Sequence, residues 1–244
     1  MYLNSVEYKE LKSISAYVCN IVEEMAATTQ EAFLNKDIKK AAYVKERDKE
    51  LNNFSIKSDD LCGKIIALYW PRGRDMRYII SSIKNSSDFE RIGDHCKKIS
   101  KQIIKLQNTP LVFENEAVIE LLKNVVDIVI KSCYAFYELN KEKAEEVINS
   151  DDKIDLLKSK AVKDIIQYMI TNSNKNQESN ILYFKSGINM VNIARRLERM
   201  ADHAVNIAQS VYYISEGSNY NKESSNEECI SNWRWFRYIR TYII

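Results

Sequence analysis

"ERIGDHCKKI" occupies residues 90–99, and "ERMADHAVNI" occupies residues 198–207. Both spell Glu-Arg-x-x-Asp-His, and they place the only two histidines of the chain, His95 and His203, at the same position of the string. Four identities in six positions are improbable by chance in a chain of 244 residues. The two stretches therefore mark equivalent places in a duplicated structure. Projected on a helix at about 100° per residue, the first copy turns Phe89, Ile92, Cys96, Ile99 and Ile103 to one side. The second does the same with Leu197, Met200, Ala204, Ile207 and Val211. Glu90 with Asp94, and Glu198 with Asp202, fall on the opposite, solvent-facing side, one helical turn apart.

The repetition extends outward from these strings. "LNKDIKKAAYVKERDKELN" from Leu34 lines up with "LNKEKAEEVINSDDKID" from Leu139 once two residues are dropped, so that Val44 and Asp48 match Val147 and Asp151. Each Leu-Asn-Lys string reads as the end of one helix and the start of the next, with an acidic residue suited to a helix N-terminus. "WPRGRD" makes a second break in the first half, where Pro71 fits the first turn of a new helix. The polar cluster "TNSNKNQESN" from Thr171 does the same in the second. The expected fold is all-α, two tandem pseudo-symmetric three-helix bundles, over residues 1–108 and 109–217. A polar linker and tail over 218–244 ends in "WRWFRYIRTYII", which interleaves aromatics with Arg234, Arg237 and Arg240 and suits either a membrane surface or partner, or a poorly ordered or bundle-capping tail with no such role.

Composition supports this and excludes much else. Five glycines and two prolines leave few sites for tight turns, and 45% apolar residues are enough for a core. A net charge of +2 gives no electrostatic case for nucleic acid. Cys19, Cys62, Cys96, Cys133 and Cys229 form no CxxC pair and suit reduced thiols. Charges interrupt the N-terminal stretch, and no apolar run approaches a membrane span of about 18 residues. A cytoplasmic location is expected.

The outward acids carry the chemistry. Carboxylates at i and i+4 repel, by roughly 0.2–0.5 kcal/mol on an isolated helix. Each half offers further acids, Asp48 in the first and Asp151 with Asp155 in the second, and adjacent antiparallel helices could bring these sets together. Such a concentration of carboxylates calls for a cation, with magnesium, calcium, manganese or iron suited to oxygen donors. His95 and His203 directly follow the aspartates, where they could reach round as supporting partners or pack against a neighbour. The pattern is not the Glu-x-x-His of di-iron bundles, whose ligands point into the core. No phosphate-cradling glycine loop or nucleophile elbow is present, so the sequence supports no enzyme.

"DFERIGDHCKKI" and "ARRLERMADHAVNIAQSVYYISEG" resemble the paired signature segments of the PhoU family of phosphate-transport regulators. The likeness extends to "RDKELN" at 47–52, "PRGRDMR" at 71–77 and "DDKID" at 151–155. It spans residues from about 5 to 217. It implies multinuclear metal clusters, of iron or zinc, on the bundle surfaces. Carried over by position, Asp48, Glu90 and Asp94 would serve one site, and Asp151, Asp155, Glu198 and Asp202 the other. Asn52 replaces an acid in the first set.

The resemblance also implies a non-catalytic adaptor, as a homodimer, between the ATPase subunit of a phosphate ABC transporter and a sensor histidine kinase. Such an adaptor represses phosphate-starvation genes. Membrane association would be peripheral, through those partners or the tail. The alternatives are an accessory protein of a different phosphate carrier and a carboxylate-metal phosphohydrolase.

Overall fold

A computed structural model describes residues 5–106, 115–171 and 177–220. Residues 1–4, 107–114, 172–176 and 221–244, the last holding the aromatic-arginine tail and most of the polar linker, lie outside the described residues. Seven helices and no strand occur among the described residues. They are α1 (Val6–Asn35), α2 (Ile38–Tyr69), α3 (Arg74–Leu106), α4 (Glu116–Glu138), α5 (Lys141–Asn149), α6 (Asp151–Thr171) and α7 (Gln177–Glu216). The expected six helices become seven because the middle helix of the second half breaks at Ser150. There the Ser150 hydroxyl bonds back to the Val147 carbonyl at 2.6 Å. That local bond competes with the helix ladder, and it leaves Asp151 at the start of α6, where the positive end of a helix dipole favours an acid.

The helix ends follow the chemistry of the chain, with one correction to the repeat. Lys36 takes up a left-handed conformation (φ 54°), and the Asp37 carboxylate then accepts from the Lys39 and Lys40 amides at 2.9 and 3.1 Å. In the second half the left-handed residue is Leu139 (φ 52°), and the cap is Asn140, accepting from Lys143 N–H at 2.8 Å. The turn in the second copy thus falls two residues earlier in the shared Leu-Asn-Lys string. Structurally Lys36 matches Leu139 and Asp37 matches Asn140, which brings Val44 to Val147 and Asp48 to Asp151 with nothing omitted. The Leu-Asn-Lys identity is a sequence coincidence laid over a true structural repeat. Pro71 also differs from expectation: it lies before α3, between the left-handed Trp70 that ends α2 and Gly73 (φ 56°).

The two bundles share one core. Helix α1 packs against α4 and α3 against α7, so their apolar stripes meet across the duplication. Phe136 of α4 stacks on Tyr78 of α3 at 5.9 Å and lies 5.7 Å from Phe89, while the Cys19 thiol donates to the Cys133 carbonyl at 3.8 Å. All ten residues placed inward by the helical projection are buried. Helices α3 and α7 run antiparallel, sewn together by Arg77 to the Ile214 carbonyl, Ser210 to Asn85 and His203 to Asp88. The Arg77 guanidinium takes up a carbonyl in the last turn of α7, which intrahelical bonding leaves without an amide.

Candidate functional site

The long helices set each acidic string on the flank of a bundle and each histidine on the seam between bundles. His95 is buried, and its ring lies over that of His203 with centroids 5.8 Å apart and planes at 27°. The supporting role expected of these side chains therefore has a different setting: the two matched positions meet each other across the pseudo-twofold axis. His203 Nδ1 is 2.8 Å from Asp88 Oδ1, which also accepts from Asn206 at 3.3 Å.

Symmetry pairs Asp88 of α3 with Arg196 of α7, so His95 faces a guanidinium where its twin faces a carboxylate. Burial, then the fields of His203, Lys98, Arg196 and Arg199, push the His95 imidazole down to about 4. It is neutral, and its Nδ1 is buried without a hydrogen-bond partner, as is Arg196 Nε.

The first acidic set is drawn together around a lysine. Asp48 is 2% exposed, not on the surface like the other candidates, and accepts from Lys97 Nζ at 2.6 Å. The same ammonium lies 3.7 Å from Asp94, which accepts from Lys98 at 2.7 Å. Burial opposes ionisation of Asp94, but the hydrogen bond from Lys98 wins and holds its carboxyl below the usual range. Lys97 is stabilised as the cation, first by its bond to Asp48. Glu90 is exposed one turn away, and Asn52 Oδ1, one turn from Asp48, is buried with no hydrogen-bond partner.

The second set has a different balance. Glu198 accepts from Lys158 at 2.7 Å. Asp202 is raised above the usual carboxylate range, first by burial and then by the fields of Glu198, Asp151 and, more weakly, Asp155. Asp202 of α7 therefore lies in the field of its own helix's Glu198 and of Asp151 and Asp155 of α6. On α7 the positions matching Lys97 and Lys98 are Val205 and Asn206.

Among the described residues no three His, Cys, Asp or Glu side chains are grouped so as to hold a metal ion. Surface rotamers of the second set would have to close up around one. Its all-oxygen, mutually repelling donors fit a hard cation. The first set does not fit, since its buried carboxylate is already neutralised.

Sequence reasoning missed Lys97 and Lys98, and also Asp88, Arg77 and Arg196. The lysines were legible as the point where the two strings part, "CKKI" against "AVNI". The others act between bundles and carry no local signal. Cys96 is buried beneath the first set, and desolvation pushes its thiol up to about 12.

Comparison with known proteins agrees with this architecture. A phosphate-specific transport system accessory protein PhoU homolog from Zymomonas mobilis is 28% identical over 234 residues, covering 92% of each chain. Its counterpart named PhoU in Escherichia coli K12 is 27% identical over 228 residues, covering 89% of this chain and 88% of its own. The crystal structure of PhoU from Pseudomonas aeruginosa superposes with a TM-score of 0.81 at 26% identity, covering 89% of this chain and all of that one. The PhoU structure from Streptococcus pneumoniae gives 0.77 at 25% identity, covering 88% and 98%. The PhoU domain matches twice, over residues 17–103 and 118–211, on the two halves that the repeated string defines, and the chain belongs to the PhoU family.

Proposed function

We propose that this protein is an accessory regulator of phosphate uptake that acts as an adaptor and not as a catalyst. It would link the ATPase subunit of a phosphate ABC transporter to a sensor histidine kinase and keep phosphate-starvation genes repressed when phosphate is plentiful. The observation that carries this reading is the duplicated signature on a shared-core double bundle, in a chain whose relatives are named phosphate-specific transport system accessory proteins. No helix among the described residues is long and apolar enough to cross a membrane. We place the protein in the cytoplasm as a homodimer, reaching the membrane through its partners.

A metal centre, of iron, zinc or a harder divalent ion, belongs to the same proposal. Asp151, Asp155, Glu198 and Asp202 would hold it. Bound there, a cation would neutralise the acids and stabilise the α6–α7 face for docking, because a ligand of the folded state stabilises that state. His95 and His203 lock the bundles together beside it.

The test is capture of the transporter ATPase and the sensor kinase by the purified protein at high and low phosphate, with a phosphate-starvation reporter in a deletion strain. The reading expects association that changes with phosphate, and a reporter that turns on in phosphate-rich medium when the gene is removed. Association indifferent to phosphate, with an unaltered reporter, would sink it.

A further inference from the structure

The duplication predicts two equivalent cation sites, and the side chains disagree. We infer that the first acidic patch is closed to metal, because Lys97 serves as its built-in cation, and that cation binding in this chain is confined to the second bundle. This rests on the metal reading above.

Three observations carry the inference. The Lys97 ammonium sits 2.6 Å from Asp48 and 3.7 Å from Asp94, between two of the three acids that the family resemblance assigns to the site. Asp48 is almost fully buried, so its charge requires a permanent partner; a tethered ammonium supplies one without the entropy cost of capturing an ion from solution. Lys98 takes Asp94 at 2.7 Å, leaving Glu90 as an exposed acid at the edge of the patch. Two ammonium groups of α3 thus take up Asp48 and Asp94, and Glu90 alone is left over.

On α7 neither ammonium has a counterpart. Val205 stands at the position of Lys97 and Asn206 at that of Lys98, while Asp155 replaces Asn52. Each of these changes makes the second patch more anionic than the first. Its lysine, Lys158, comes from α6 and reaches Glu198, the acid matched to Glu90. A cation entering the first patch would have to expel Lys97 from a buried partner. One entering the second meets acids that already repel one another.

The test is equilibrium dialysis against Mn²⁺ and Zn²⁺ with elemental analysis, on four folded proteins. These are the native chain, a first-patch variant (Glu90→Gln with Asp94→Asn), a second-patch variant (Glu198→Gln with Asp202→Asn), and the second-patch variant carrying Lys97→Val. The inference expects the first-patch variant to retain the full native metal content and the second-patch variant to lose at least tenfold. Lys97→Val should then restore binding by giving the first patch the residue of the second.

Equal losses in both patch variants would overturn it. Metal absent from the native chain would instead overturn the metal reading alone. In that case Lys97→Val decides: cation uptake, or folding that requires added cation, upholds the closing role of Lys97, and neither overturns it.

Discussion

Three helical glycines make a graded test of the packing. At Gly63 of α2 a Cβ would meet nothing within 4 Å. Alanine there loses the backbone entropy penalty and nothing else, so Gly63→Ala should stabilise by up to about 1 kcal/mol. At Gly93 of α3, inside the first signature string, a Cβ would fall well inside van der Waals contact distance of Leu51 Cδ2, with Met25 Cε and Sδ at 3.5 and 3.7 Å. Leu51 and Met25 are both buried, so Leu51 can give way only by displacing core neighbours.

Overpacking of this kind costs about 1–3 kcal/mol, against about 1 kcal/mol gained in helix propensity. Gly93→Ala should therefore destabilise by about 1 kcal/mol, or about 2–4 °C in a domain of this size. Gly187 of α7 is intermediate. The added methyl meets the thioether of half-buried Met169, an unbranched chain that can rotate aside, so its two effects should nearly cancel. Urea unfolding of the three variants, followed by helical circular dichroism, gives the ranking. Adding Leu51→Val to Gly93→Ala should cost less than the two changes separately. Gly93→Ala stabilising as much as Gly63→Ala would refute the close approach of α2 and α3.

Other outcomes follow from the seam and the core. Because the folded imidazole of His95 lies at about 4, below its unfolded value near 6.5, the unfolded chain takes up the proton first as pH falls. The stability involved is fully present above about pH 6.5 and is lost down to about pH 4, by about 1.5 kcal/mol once solvent screening is allowed for. Urea titrations of the native chain and His95→Gln across that window should diverge by this amount, and parallel curves would contradict the buried neutral ring.

Arg77→Met removes both guanidinium bonds to the Ile214 carbonyl. It should cost about 1–2 kcal/mol and speed amide exchange in the last turn of α7, as read by mass spectrometry. In a Cys229→Ser protein the remaining four cysteines are buried, with the Cys62 and Cys96 thiols pushed up to about 12 by desolvation. They should resist a disulfide reagent at pH 8 until the chain is unfolded.

The acidic strings show how far a local pattern reaches. Glu198 and Asp202 stand as the helical wheel places them, and α6 brings Asp151 and Asp155 near enough for Asp202 to sense them. Asp48 did not yield to the same reasoning. Its position in the repeat marks it as an acid of the site, but its burial depends on how α2 lies against α3. Lys97 and Lys98 are visible in the string, yet their partners are set by that same packing. The histidines are the clearest case: their matched positions are plain in the sequence, while their stacking requires α3 and α7 to cross at the pseudo-twofold axis.

By itself the sequence determined the helical class, the duplication and the buried stripes, because these depend on periodicity and on capping residues a few positions apart. It misplaced the register of one turn by two residues, since the same Leu-Asn-Lys string ends a helix at Lys36 in one copy and at Leu139 in the other, with Asp37 and Asn140 as the caps that follow. Only the tertiary structure decided that the halves share one core and that two similar acidic strings differ in charge balance. Those outcomes depend on side chains brought together from helices distant in the chain. A duplicated sequence preserves its spacing, but the electrostatics of each copy belong to its neighbours.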